Sequence, residues 1–398
     1  MSGGTSDAAA GWLTEHGRGL VELRRDLHRH PELGRQEQAT TALLVKRLTA
    51  AGLTPHALAV GTGLWCDVGH GDGPTVLLRG DIDALPLQDL KEVDYRSVVP
   101  GVSHACGHDV HTAIVLGAGL ALAAYDAVRP LPGTVRLVFQ PAEEIMPGGA
   151  LDVLAEGVAD GAAIALSLHC DPTVTVGHVG VRNGALTSSA DQVTVELRGP
   201  GGHTSRPYRT VDLVQALAAV AMEVPTVLAR RVDPRSGVSL VWGSVRAGTA
   251  HNAIPDRGLL SGTVRMLDRA VWDTVPPLLE ELVHAVAGTY GATAAVRYLR
   301  GVPPVVNDQR ATSLLAHAAE AVLGPGRVQP TQQSLGGEDY GWILERVPGT
   351  MFRLGVRPEG WVGRDLDLHQ GTFDVDEDAI AIGVRVLVRA ALDALDED

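Results

Sequence analysis

The sequence predicts an α/β protein in two parts, a core of alternating strands and helices interrupted by an α+β insertion. Three observations predict it. Through the first 185 residues, apolar runs of β type alternate with helical runs. Three of those β-type runs end in polar residues: Asp81 and Asp83, Glu143 and Glu144, and His169. From residue 186 to 300 the order becomes strand, helix, strand, strand, helix, strand, which is the pattern of a split βαβ unit.

Residues 11–52 carry helical periodicity, broken at Pro31 in DLHRHPELG and resumed by EQATTALLVKRLTAAG up to a glycine stop. GLWCDVG (63–69) and TVLLRGDIDALP (75–86) read as strands, the second closing on acids. HTAIVLGAGLALAAY (111–125) reads as a buried helix. GTVRLVFQPAEE (133–144) is a strand leading to two carboxylates, and AAIALSLHC (162–170) is an apolar run ending in His169. DQVTVELRG (191–199) alternates like a half-exposed strand. A helical run over 210–230 follows, then strands over 237–248 and 258–267, a helix over 270–291 and a strand over 293–301. The run 311–324 returns to the first part, which ends in a helix over 376–395. The expected division is 1–185 with 301–398 for the core and 186–300 for the insertion. In open α/β sheets, sites form beyond the carboxyl ends of strands. The polar strand ends are therefore expected to converge at one sheet edge.

Composition bounds the function. The 398 residues exceed one ordinary core. A net charge of −14 argues against a nucleic-acid surface. It leaves an anionic small molecule open, because a local cation or metal outweighs the global field. Three widely spaced cysteines, 66, 106 and 170, form no disulfide framework, so reduced thiols and a cytoplasmic setting are expected. The stretch MSGGTSDAAAGWLTEHGRG lacks a basic and an apolar leader segment, so no signal peptide is expected. No apolar run approaches a membrane span, and no membrane partner is expected.

The segment SHACGHDVHT (103–112) gathers three histidines, a cysteine and an aspartate. Taken singly, Cys106 reads as core packing and each histidine as a satisfied side chain. The rest of the chain supplies partners. Cys106, His108, Glu143, Glu144, His169 and the distant His369 are all metal-capable. Thiolate, imidazole and carboxylate together suit Zn²⁺ best among common metals. One zinc takes three or four protein ligands, while five suit two ions sharing a bridging ligand, and a thiolate can bridge. Beyond a strand end, adjacent carboxylates can face different ways. One can bind metal while its neighbour takes a proton from a metal-activated water and delivers it to a leaving amine.

HACGHDVHT, RGDIDALP, FQPAEE, LSLHC, GPGGHTSRP, HNAIPD, GGEDYGW and LHQGTF occur in the order found in the M20 family of metallo-amidohydrolases. The chain resembles its aminoacylase, hippurate and auxin-conjugate hydrolase branch over about residues 20–385. The resemblance implies a di-metal α/β catalytic domain and an inserted α+β (βαββαβ, ferredoxin-like) lid domain through which a homodimer forms. It implies Cys106, His108, Glu144, His169 and His369 as ligands of two divalent ions, Zn²⁺ first, with Mn²⁺, Co²⁺ or Ni²⁺ as alternatives. It implies Glu143 as the acid/base. Asp81-Ile82-Asp83 stands where the wider family has a His-x-Asp ligand motif. Asp83 therefore looks like a carboxylate that orients a ligand. One departure stands out: the branch has Pro two residues after the last His, and this chain has Gly371. That puts the shape of the His369 loop in question.

GPGGHTSRP lacks the Lys-Ser/Thr of a phosphate loop, and GTGLWC fails as a dinucleotide fingerprint. By resemblance, His203 stabilises the tetrahedral oxyanion and Asn252 binds substrate or that oxyanion. The alternative for Asn252 is a turn residue ahead of Pro255. The expected reaction is hydrolysis of an N-acyl amino acid, a small-molecule substrate, to a carboxylic acid and a free amino acid. A metallo-dipeptidase or carboxypeptidase on the same scaffold is the alternative. A catalytically silent module would lack the acid/base or some ligands, and all are present. G-x-S-x-G and H-E-x-x-H are absent from the sequence.

Overall fold

A computed structural model describes residues 7–363 and 367–396. The first six residues of the stretch expected to lack a leader lie outside the described residues. The chain divides into two compact units, a larger one of Met1–Gly184, Val306–Gln332 and Asp339–Asp398, and a smaller one of Ala185–Val305 and Gln333–Glu338. Ala185 and residues 301–305 and 333–338, expected in the core part, fall in the smaller unit. Backbone pairing accounts for this. The Leu186 amide donates to Val305 O at 2.8 Å, and the Ser334 amide donates to Leu186 O at 2.9 Å.

The chain opens with α1 (Ala10–Arg29) and α2 (Gln38–Ala50), then β1 (His56–Ala57), β2 (Leu64–Val68), β3 (Thr75–Asp81), α3 (His108–Asp126), β4 (Thr134–Gln140), α4 (Ala150–Ala155), β5 (Ala162–Thr175), β6 (Val179–Val181) and β7 (Gly184–Ala185). The smaller unit carries β8 (Ala190–Arg198), β9 (Gly202–His203), α5 (Leu213–Arg231), β10 (Ser239–Ala247), β11 (Ala253–Ile254), β12 (Arg257–Arg265), α6 (Arg269–Thr289) and β13 (Thr293–Val302). The return consists of β14 (Val306–Asn307), α7 (Gln309–Leu323), β15 (Val328–Pro330), α8 (Tyr340–Leu344), β16 (Gly349–Arg357) and α9 (Asp378–Leu395).

The larger unit is built on a mixed sheet of order β1-β2-β4-β3-β5-β16-β6-β15. Its centre, β4-β3-β5-β16, is parallel. Strands covered on both faces read as near-continuous apolar runs, as TVRLVF, TVLL and AAIALSL do. α3 is buried along most of its length and packs between α1 and α9. Register aligns the functional strand ends: Asp81 lies opposite Gln140, and Arg79 lies opposite both Val138 and Ser167. One expectation needs correction. β5 does not end at His169 but runs on to Thr175, because β16 keeps pairing with it through Leu354↔Cys170 and Gly355↔Asp171. His169 therefore sits inside a strand.

The smaller unit has an antiparallel sheet of order β10-β12-β8-β13 with α5 and α6 packed together over it. Strand order and connectivity are those of the expected βαββαβ unit. β8 buries Val193, Val195 and Leu197, as its alternation requires. Asp212 and Asp268 cap the two helices, accepting from the amides of Gln215 and Ala270. By length and composition α5 could cross a membrane. Its buried residues Leu213, Ala216, Leu217, Val220, Val224 and Leu228 recur at the three-to-four spacing of a sheet-covering helix.

Candidate metal centre

Four segments of the larger unit meet at the carboxyl edge of the parallel strands. The turn into α3 carries Cys106, and His108 opens the helix on the other side of Gly107. That glycine has φ +89°, and a Cβ there would lie 2.9 Å from Cys170 Sγ, so the turn demands glycine. β4 leads through Pro141 and Ala142 to Glu143 and Glu144. Ala142 is held at φ +53°, a costly conformation for a residue with a Cβ. Its amide donates to Glu37 Oε1 at 2.7 Å, and its carbonyl accepts from the Gly149 amide at 3.0 Å. β5 supplies His169. The loop before α9 supplies His369, also at positive φ, with its amide bonded to Ala105 O at 2.8 Å.

Metal-capable atoms of Cys106, His108 and His169 all lie within 4.8 Å of one another, and so do those of Cys106, Glu144 and His369. The two groups share Cys106 and together comprise the five ligands implied by the resemblance. A third group joins His108, Glu143 and Glu144, so Glu143 stands beside both. Cys106 Sγ is 3.4 Å from His169 Nε2, and His369 Nε2 is 3.2 Å from Glu144 Oε1.

Hydrogen bonding leaves the right lone pairs free. His108 Nδ1 donates to Asp83 O at 3.0 Å and to Asp83 Oδ1 at 3.2 Å. Its Nε2 is buried and has no hydrogen-bond partner among the described residues, 3.9 Å from Glu143 and 4.0 Å from Glu144. His169 Nδ1 donates to Cys170 O at 2.8 Å, which leaves its Nε2 lone pair toward Cys106. Burial, helped by Arg353, pushes His169 well below the usual range, so the ring is neutral.

The field favours positive charge. Burial acts to lower His108, but Asp81 and Cys106 hold it well above the usual range. Contacts with Cys106 and Glu144 raise His369 to about 10. Burial and Glu144 push the Cys106 thiol up. A divalent cation would take the place of those protons on the ligand atoms, and it deprotonates a coordinating thiol outright. The orphaned His108 Nε2 and the S, N and O donor set fit two divalent metal ions.

Asp83 does more than the sequence implies. Besides orienting His108, its Oδ2 accepts from the Glu144 amide at 2.9 Å, so one buried carboxylate touches a member of each ligand group. His111, the third histidine of the opening motif, is fully engaged elsewhere. Its Nδ1 donates to Asp81 Oδ1 at 2.6 Å, and its Nε2 accepts from the Cys170 amide at 2.9 Å. Burial would raise Asp81, but His108, Arg79 and His111 hold it well below the usual carboxylate range. Sequence reasoning missed Arg79, His111 and Glu37. For Arg79 the period-two spacing with Asp81 was the available signal, since it puts both on one side of β3.

Gly371 fits a reshaped loop. A Cβ there would lie 2.3 Å from Gln88 O, and the Gly371 carbonyl accepts from the Leu90 amide at 2.7 Å. No side chain, proline included, has room at that spot while the strap 88–90 lies against it.

In the smaller unit, His203 and Asn252 are exposed and come together across the short β9–β11 ladder. Ala253 pairs with His203, and the Thr204 amide donates to Asn252 O at 3.3 Å. His203 Nδ1 receives the Ser205 amide at 3.1 Å and lies 2.8 Å from Ser205 Oγ. An amide can only donate, so Nδ1 carries the lone pair and Nε2 carries the proton.

The profile of peptidase family M20/M25/M40 matches residues 77–393. The chain belongs to this family. It is 47% identical over 371 residues to a Rhodococcus jostii protein named as a glutamate–cysteine ligase; the match covers 93% of this chain and spans 46% of that relative's length. It is 35% identical over 381 residues to the N-acetyl-L-cysteine deacetylase of Bacillus subtilis, covering 95% of this chain and 89% of the relative. Among solved structures, the Bacillus subtilis YXEP protein, a dinuclear metal-binding peptidase of the M20 family, superposes with a TM-score of 0.82 at 32% identity, covering 96% and 99% of the two chains. As an M20 protein the chain is a hydrolase of the amidohydrolase and peptidase type, with ligand sets for two divalent metals.

Proposed function

We propose that this M20 hydrolase cleaves the amide bond of N-acyl amino acids, releasing a carboxylic acid and a free amino acid. The observation that carries the reading is the position of Glu143 beside two ligand groups that share Cys106. When bound, the two cations supply Lewis-acid polarisation of the scissile carbonyl and of the attacking water. Glu143 takes the proton from that water and delivers it to the leaving nitrogen. His203, with its proton on Nε2, is the donor we assign to the developing oxyanion, and Asn252 the residue that binds substrate beside it. A donor of that kind contributes roughly 3–4 kcal/mol to the transition state. In this reading the smaller unit is a lid and dimerisation domain. The exposed Val241 and Val245 on its edge strand β10 support a homodimer there. Zinc is the metal we assign from the donor set, ahead of Mn²⁺, Co²⁺ and Ni²⁺. Three free, buried thiols support a reducing, cytoplasmic setting.

A relative covered over 89% of its length is named N-acetyl-L-cysteine deacetylase, which makes N-acetyl-L-cysteine the first substrate to test. The peptidase name of the YXEP protein favours a second reading, a dipeptidase or carboxypeptidase. The test is a panel of N-acetyl, N-benzoyl and longer N-acyl amino acids beside dipeptides, with metal-loaded protein and released amine as readout. Faster turnover of dipeptides than of every N-acyl amino acid would replace the first reading with the second. Glu143→Gln should keep both metals and lose about 10²–10⁴-fold in turnover. Full activity in that variant would remove Glu143 from the chemistry.

A further inference from the structure

Asp339, in the GGEDYGW stretch, belongs to neither ligand group, yet its side chain is fully buried at the end of the strands that carry the site. We propose that Asp339 is a positioning residue that fixes Glu143 by stapling the two ends of the connection on which it sits. The proposal rests on the reading of Glu143 as the acid/base.

The connection runs from Gln140, the last residue of β4, to Ala150, the first of α4. Asp339 holds both. Its Oδ1 accepts from Arg79 Nη2 at 2.8 Å and from Gln140 Nε2 at 2.8 Å. Its Oδ2 accepts from Gln140 Nε2 at 2.7 Å and from the Ala150 amide at 2.9 Å. The Gln140 amide cannot turn round, because its Oε1 accepts from Arg79 Nε at 3.0 Å. Every group facing Asp339 in these contacts is a donor. A carboxylate has four lone-pair sites and no hydrogen, so it satisfies them all; an amide would set its own NH₂ against one of them.

Asp339 also has a charged partner. Arg79 is fully buried and pairs with Asp81 at 2.7 Å as well as with Asp339 at 2.8 Å. Asp81 in turn holds His111, so the same guanidinium ties the connection to the first turn of α3. Within the connection, the Ala142 amide is held by Glu37 and the Glu144 amide by Asp83. Those contacts fix the residues on either side of Glu143, and the Asp339 staple fixes the frame they hang on. A carboxylate oxygen of Asp339 also lies within 4.8 Å of one of Glu143. A movement of about 1 Å at a reacting group is enough to cost about 10²-fold in rate.

The experiment is a double-mutant cycle on the metal-loaded full chain, using the best-cleaved member of the substrate panel. Asp339→Asn should lower kcat about 10–100-fold, leave KM within about twofold and retain both metals by elemental analysis. In the Glu143→Gln background the same change should cost less than about threefold, because the group being positioned is gone. Asp339→Glu keeps the charge opposite Arg79 and serves in the same cycle if the Asn variant fails to fold. Equal losses in both backgrounds, a raised KM at unchanged kcat, or loss of metal would overturn the staple while leaving the acid/base reading intact. A fully active Glu143→Gln would overturn that reading and the staple with it.

Discussion

Replacing Asp83 by alanine should weaken both metal ions at once. The reason is geometric: its Oδ1 receives His108 Nδ1 at 3.2 Å and its Oδ2 receives the Glu144 amide at 2.9 Å. His108 belongs to one ligand group and Glu144 to the other. The variant leaves His108 with the Asp83 backbone carbonyl at 3.0 Å, so the ring keeps its tautomer but loses a charged acceptor. Loss of such an orienting partner costs about 10–100-fold in metal affinity, which is about 1.4–2.7 kcal/mol. The Glu144 amide loses its acceptor as well, and an unsatisfied buried group adds about 1–3 kcal/mol of instability to the turn. Asp83→Asn should fall between, since its oxygen can serve one partner while its NH₂ opposes the other. The assay is competition for metal against a chelator of known affinity, with metal content read at each step beside a thermal melt. If both ions are held within about twofold of the unaltered protein, Asp83 does not orient the ligands and the reasoning is wrong.

Two further expectations follow from the same contacts and from the buried charges behind α3. Cys106→Ala should abolish stable binding of both ions, whereas His369→Ala and His169→Ala should each leave about one ion per chain, because only Cys106 is common to both groups; equal stoichiometry in all three variants by elemental analysis would refute the sharing. Asp89 should shape the acid limb of stability: burial alone would raise it, but His28 and the amides of Ser97 and Lys91 hold it at about 2. A carboxylate held below its unfolded value stabilises the fold above about pH 4, and that contribution is lost as pH falls from about 4 to about 2. Asp89→Asn should flatten this window in acid unfolding, and an unchanged acid limb would count against it.

The parts of the site that were legible in the sequence are those written in short motifs at strand ends. Cys106 and His108 flank a glycine within a few residues of a helix start, and Glu143 and Glu144 follow an apolar strand, so chemistry and placement coincide locally. His369 lies two hundred residues downstream of His169, and its assignment as a ligand rests on resemblance to a family rather than on any local pattern, though the fold does bring it beside Cys106 and Glu144. His169 was placed at a strand end because the apolar run stops there, while the strand itself continues on backbone pairing with β16, which leaves no mark in side-chain polarity. Glu37 and Asp339 were invisible for a related reason. Their partners, the Ala142 amide for Glu37 and Arg79, Gln140 and the Ala150 amide for Asp339, lie more than a hundred residues away in sequence, and an acid in a helix-entry or Gly-rich stretch looks the same whether it meets water or such a donor.

Those hidden acids explain how the turn can sit against a metal centre at all. Backbone amides at strand ends and helix starts ordinarily make such places hospitable to anions. Here the amides of Ala142, Glu144 and Ala150 are each taken by a carboxylate, from Glu37, Asp83 and Asp339 in turn. Donors that would otherwise favour an anion beside Glu143 are satisfied within the protein. What surrounds the shared Cys106 is imidazole and carboxylate, a donor set suited to cations. The segment SHACGHDVHT therefore supplies only part of the chemistry. The rest lies in a frame of buried acids that turns an amide-rich sheet edge into a place for two cations.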